Sequence, residues 1–150
     1  MANPPQAYFP STLARVLLCG YIAGAVYTFL SYVVLALVPI PFLSEALQAK
    51  PGAPLRPLVM IGSNLAAGTS AVFIYFIARR AGLRFTGAVL TSGCIWWVIA
   101  SQQSAKWLAL SGIDFAEVAL VAALTLPAML ASVLVGGWLF EKNGTRSSGE

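Results

Sequence analysis

The sequence contains no histidine, only two cysteines, and five acidic residues against nine basic ones. The missing histidine removes the commonest metal ligand and the usual axial ligand of haem, and with it any histidine-based triad. Cys19 and Cys94 lie far apart inside apolar segments with no CxxC pairing, so neither a structural disulfide nor a zinc site is expected. No Walker loop, HExxH or pair of carboxylates within an apolar run occurs. The chain reads as non-catalytic.

Charge is scarce in general. Charged residues make up 9% of the 150 residues, and 59% are hydrophobic. Soluble domains carry roughly 25% charged residues. A chain this apolar cannot cover itself with a wettable surface, and lipid is its natural solvent. A spanning helix needs about 20 mostly apolar residues. Four such segments fit here, at 16–38, 58–78, 85–105 and 115–140, which predicts a single all-α domain, an integral membrane four-helix bundle. The run from Val16 to Val38 exceeds an ordinary signal core, so the first segment is read as a retained helix rather than a cleaved leader.

The punctuation between segments agrees. Pro39 and Pro41 end the first span. A loop from Pro39 to Pro57 follows, with Phe42, Leu43, Ala46 and Leu47 on one face of a short surface helix. Pro57 suits the first turn of the second span. Gly82 marks a tight connection to the third. Asp114 and Glu117 have the spacing of a helix N-cap with its reciprocal partner at the start of the fourth. The tail, 141–150, is polar, rich in Gly, Ser and Thr, and expected to be flexible. Pro127 interrupts the fourth span, with Thr125 nearby to help satisfy the backbone.

Basic residues set an orientation. With four spans, Arg15, Arg79, Arg80, Arg84, Lys142 and Arg146 share one side, while Lys50, Arg56 and Lys106 take the other. The positive-inside rule then places both termini in the cytoplasm (N-in/C-in), with Tyr8, Phe9 and Trp138 near the inner interface and Trp107 near the outer. The excess charge is a topology signal, and no nucleic-acid partner is expected.

Small residues recur at helical spacing: Gly20 and Gly24 in the first span, Gly62, Ala66 and Ser70 in the second with Asn64 and Gly68 in a parallel row, and Ala128, Ser132 and Gly136 in the fourth. Such rows let backbones approach closely, a main source of helix association in lipid. They are read as helix-packing positions, within one bundle or against another protein.

Polar side chains in the outer half form a candidate site: Tyr32, Asn64, Gln102 and Gln103. Polar groups at such depth need partners. They predict either an interhelical hydrogen-bond network or a small pocket for a lipid, quinone or pigment headgroup, with Asn64 facing inward. Trp96 and Trp97, adjacent in the third span, either pack or stack on a quinone, carotenoid or chlorin ring.

Four stretches, Arg15-Val-Leu-Leu-Cys-Gly20 with Ala23-Gly24, Ile74-Tyr75-Phe76-Ile77-Ala78-Arg79-Arg80, Gly82-Leu83-Arg84-Phe85-Thr86-Gly87 and Gly136-Gly137-Trp138-Leu139-Phe140-Glu141, carry a resemblance to a broad group of small bacterial four-span membrane proteins. It covers most of the chain and implies the fold and a bacterial inner-membrane location, but no activity. The expectation from residues and resemblance together is an accessory or structural subunit of a larger membrane complex, respiratory or photosynthetic, in contact with lipids and other subunits. The rival is a small homo-oligomeric channel or carrier. The absence of an ionisable residue at depth weighs against coupled transport.

Overall fold

The computed structural model describes residues 8–37, 55–111 and 115–146. The chain is all-α. Among the described residues the helices are α1 (Tyr8–Leu37), α2 (Leu55–Arg80), α3 (Phe85–Ser111) and α4 (Phe115–Arg146). The surface helix expected within 39–57 and the cap at Asp114 lie outside the described residues. Three helices contain stretches long and apolar enough to cross a membrane: Thr12–Val34, Ile61–Arg80 and Ala119–Asn143. In α3, Thr86, Thr91, Ser92, Gln102 and Gln103 dilute the apolar run.

The helices run alternately up and down. At the α2–α3 corner, Gly82 has φ +90°, a left-handed value that glycine adopts without steric penalty. Leu83 N–H donates to the Ala78 carbonyl and Gly82 N–H to that of Arg79, each at 3.1 Å. This is a Schellman ending, and it reverses the chain within four residues. Arg84 then accepts from Ala88 N–H at 2.9 Å, opening α3. Around the bundle, α1 packs on α2 and α4, and α3 does the same from the other side. The long diagonal between α1 and α3 is bridged by Tyr27 and Trp96, ring centroids 4.8 Å apart.

Buried positions follow 3- and 4-residue steps: Val16, Cys19, Gly20, Ala23 and Gly24 on α1; Gly68, Ala71, Val72 and Tyr75 on α2; Ala88, Val89, Ser92, Gly93 and Trp96 on α3; Ala128, Met129, Ser132, Val133, Gly136 and Gly137 on α4. That stepping keeps one face of each helix on its neighbours. The inward residues are mostly small. The outward ones are large and apolar, among them Leu13, Leu18, Phe29, Val59, Phe73, Ile77, Leu90, Ile99, Leu120 and Leu134. A water-soluble bundle has the opposite arrangement on its outer faces, where charged and polar side chains dominate.

The closest crossing joins α1 and α2. A Cβ built on Gly24 would lie 2.6 Å from the Asn64 carbonyl oxygen and 2.6 Å from Leu65 Cα. One on Gly68 would lie 2.6 Å from the Gly20 oxygen and 2.6 Å from Gly24 Cα. Gly136 is held similarly between α1 and α2, its added Cβ 2.8 Å from Val72 and 2.9 Å from Ala23. Gly20, Gly24, Gly68, Ala128, Ser132 and Gly136 thus occupy packing positions.

Gly62 and Ala66 do not. Both are exposed, and among the described residues nothing lies within 4 Å of a Cβ on Gly62. The two small rows of α2 are offset by two residues, about 200° of helix rotation, so only one can face inward. The Asn64–Gly68 row does, because it continues into Ala71, Val72 and Tyr75 and buries the amide.

Candidate functional site

The polar set expected from the sequence does not assemble. Tyr32 is 77% exposed, and Gln102 and Gln103 are exposed as well. Asn64 is the only one of the four to reach a partner helix by a described hydrogen bond. Its Nδ2 donates to Thr28 Oγ1 at 3.2 Å, and Thr28 Oγ1 donates in turn to the Gly24 carbonyl at 2.8 Å. This relay pins the α1–α2 crossing where the glycines bring the backbones together. Thr28 went unremarked in the sequence, although it lies one turn beyond Gly24 on the same face.

Replacing Asn64 with leucine should lower stability by the worth of one such contact, about 0.6 kcal/mol and at most ~1.7. Thermal unfolding in mild detergent reads this as a drop of a few degrees, whereas Tyr32→Leu should leave the melting temperature where it was. An unshifted Asn64→Leu melt would mean the relay does not hold the crossing.

Both tryptophans are committed to packing. Trp96 is buried against Tyr27. Trp97 Nε1 donates to the Ala122 carbonyl of α4 at 2.7 Å, and Thr125 Oγ1 donates to the same oxygen at 3.0 Å. Pro127 lies inside α4 and removes the N–H that would have bonded Ala123. Two side-chain donors therefore converge on the carbonyl next to the one the proline leaves unpaired. On the α2–α3 side, Ser92 Oγ donates to the Ala71 carbonyl. Ser132 Oγ bonds back to Ala128 within α4 at 2.6 Å.

The densest polar cluster lies at the opposite end, where α1 begins and α2 and α4 end. Glu141 Oε1 accepts from Tyr75 Oη at 2.7 Å and from Arg79 Nε at 2.5 Å. Arg79 Nη1 also donates to the Leu83 carbonyl at 2.8 Å, tying the ion pair to the glycine corner. Tyr75 is fully buried, edge-on to Phe85 at 5.9 Å and to Phe140 at 6.4 Å. The helix continues past the expected end of the span at Phe140 as far as Arg146, and Glu141, its first residue beyond that end, is anchored to α2.

Arg15 belongs to the same end. Its Nη2 donates to the Phe140 carbonyl at 2.6 Å, and its guanidinium sits 4.6 Å from the Phe140 ring centroid. Phe140 meets Phe76 edge-on at 5.6 Å, and Arg80 lies over Phe76 at 4.9 Å. Lys142 lies over the exposed Trp138 ring at 4.7 Å.

Neutralising Glu141 by substitution with glutamine should loosen this end without unfolding the bundle. The pair is over one-third exposed on both sides, so solvent screening keeps its contribution small. Faster amide exchange confined to 141–146 is the expected signature. Uniform protection there would show that the last turn holds without the carboxylate.

Among the described residues no three histidine, cysteine, aspartate or glutamate side chains group as a metal site. In comparisons with known proteins, no family model matched the chain, and neither did any curated protein or solved structure.

Proposed function

We propose that the chain is an integral membrane protein of four spans, a non-catalytic accessory or structural subunit of a larger membrane complex. The observation that carries this reading is the division of roles between inside and outside. Asn64, Ser92, Trp97, Thr125 and Ser132 direct their hydrogen bonds to backbone or neighbouring helices within the bundle. Among the described residues, large apolar side chains are exposed on the outward faces of all four helices. Contiguous apolar surface on this scale marks contact with lipid or other proteins.

In this reading α3 is the fourth span, and its shortfall in apolarity is offset by burial of Ser92 against α2. The end bearing Arg15, Arg79, Arg80, Arg84 and Lys142 faces the cytoplasm by the positive-inside rule, which puts both termini there. A bacterial cytoplasmic membrane is the location implied by the segment resemblance, and a respiratory or photosynthetic assembly the expected partner.

The test is purification of the tagged protein from its own membrane in mild detergent, with mass spectrometry of whatever accompanies it and an absorption spectrum. Stoichiometric partner subunits would support the proposal and name the complex. A lone, colourless homo-oligomer would overturn it in favour of a channel or carrier assembled from copies of this chain.

A further inference from the structure

Arg15 and Arg80 are held in place by aromatic rings rather than by carboxylates. The order is Arg15 over Phe140, Phe140 edge-on to Phe76, and Phe76 under Arg80. Three helices contribute to this ladder, so its two cations are positioned by the tertiary fold. The one carboxylate described at this end, Glu141, is already bonded by Arg79 and Tyr75. Four further basic side chains lie at this end of the helices: Arg15, Arg80, Arg84 and Lys142. Arg15 also keeps an Nε–H that is shielded from solvent and has no acceptor among the described residues.

A guanidinium lying on an aromatic face still offers N–H donors at its edge. Two such groups bordering an apolar flank suit an anion whose remainder is apolar. The flank is present: Leu18 of α1, one turn from Arg15, and Phe73 and Ile77 of α2, on the face of Arg80, are exposed. The geometry points to a binding site for the phosphate diester of an anionic membrane lipid at the α1–α2–α4 junction, with Arg15 and Arg80 as its cations and Leu18, Phe73 and Ile77 against its acyl chains. The inference rests on the membrane reading above. Arginine is the suited residue, since its planar fork matches phosphate oxygens two at a time.

The test uses the full chain, purified in mild detergent and supplied separately with phosphatidylglycerol, phosphatidylcholine or inorganic phosphate. Bound lipid is counted by native mass spectrometry, and the melting temperature is measured alongside. The expected result is a phosphatidylglycerol adduct that survives delipidation and raises the melting temperature, with neither effect from phosphatidylcholine. Arg80→Gln should weaken that preference roughly fivefold, as expected for one arginine near an anionic surface. Because Arg80 is exposed and makes no described hydrogen bond, this variant keeps the fold even if Arg15→Gln does not. Arg84→Gln, outside the ladder, should leave the preference unchanged.

Equal retention of both lipids, or an Arg80→Gln variant with undiminished preference, would overturn the site while leaving the membrane reading intact. Stabilisation by inorganic phosphate to the same degree would also overturn it, replacing the lipid with a free anion. A chain that stays soluble without detergent and does not insert into vesicles of phosphatidylglycerol or of phosphatidylcholine would overturn the membrane reading itself.

Discussion

A Gly68→Leu variant is expected to lose the native bundle. The reason is backbone against backbone. A single added carbon at Gly68 would meet the Gly20 oxygen and the Gly24 Cα, both at 2.6 Å, and neither can swing aside as a flexible side chain would. Ordinary overpacking of a core costs about 1–3 kcal/mol because neighbours shift rotamer. Here the two helices must separate, which also breaks the Asn64–Thr28 contact. Far-UV circular dichroism during titration from mild into denaturing detergent measures the change, with the midpoint falling sharply or no cooperative transition remaining. The companion variant is Gly62→Leu. It carries the same substitution on the same helix, at a position with nothing within 4 Å among the described residues, and should leave the midpoint unchanged. Equal damage from both would mean that propensity or insertion, rather than the α1–α2 crossing, governs the loss.

The second large effect is expected at Tyr75, and two substitutions separate its causes. Tyr75 is fully buried, meets Phe85 and Phe140 edge-on, and donates to Glu141. Truncation to alanine removes the ring at the point where α2, α3 and α4 converge. Losses of about 3–5 kcal/mol are typical of large aromatic residues cut back in a packed core. Gly137, whose added Cβ would lie 3.0 Å from the Tyr75 ring, would then face a void. Tyr75→Phe keeps the ring and removes only the hydroxyl, so its loss should stay below about 3 kcal/mol, the upper worth of one hydrogen bond to a charged group. The same detergent titration distinguishes them. A phenylalanine variant as damaged as the alanine one would show that the bond to Glu141, not the packing, dominates.

Much of the fold is legible in the residues because it depends on local chemistry. Long apolar segments form helices wherever backbone groups must bond internally. Gly82 closes the α2–α3 corner because a left-handed residue is needed there, and glycine tolerates it. The basic residues gather at one end because a chain that reverses three times brings alternate connections together. Gly20, Gly24, Ala128, Ser132 and Gly136 lie at contacts because their small size permits close approach and few alternatives on the same helices offer it.

The candidate site was far less legible. In these helices hydrophobicity barely varies around the circumference, so the usual signal for an inner face is weak and residue size replaces it. On α2 size is ambiguous, since Gly62-Ala66-Ser70 and Asn64-Gly68 are both small rows on nearly opposite faces. Tyr32, Gln102 and Gln103 match Asn64 in depth along the bundle, yet depth does not determine direction, and they point outward.

What the sequence by itself determined, among the described residues, is the four long helices, their alternation and the concentration of positive charge. Each follows from composition or from neighbours within about one turn. What only the tertiary structure decided is which row of α2 meets α1, that Glu141 joins Tyr75 and Arg79 across more than sixty residues of chain, and that Arg15 and Arg80 share one aromatic ladder. Those depend on helix rotation about its own axis. Rotation is set by the closest approach of Gly20, Gly24 and Gly68, a contact between segments distant in sequence.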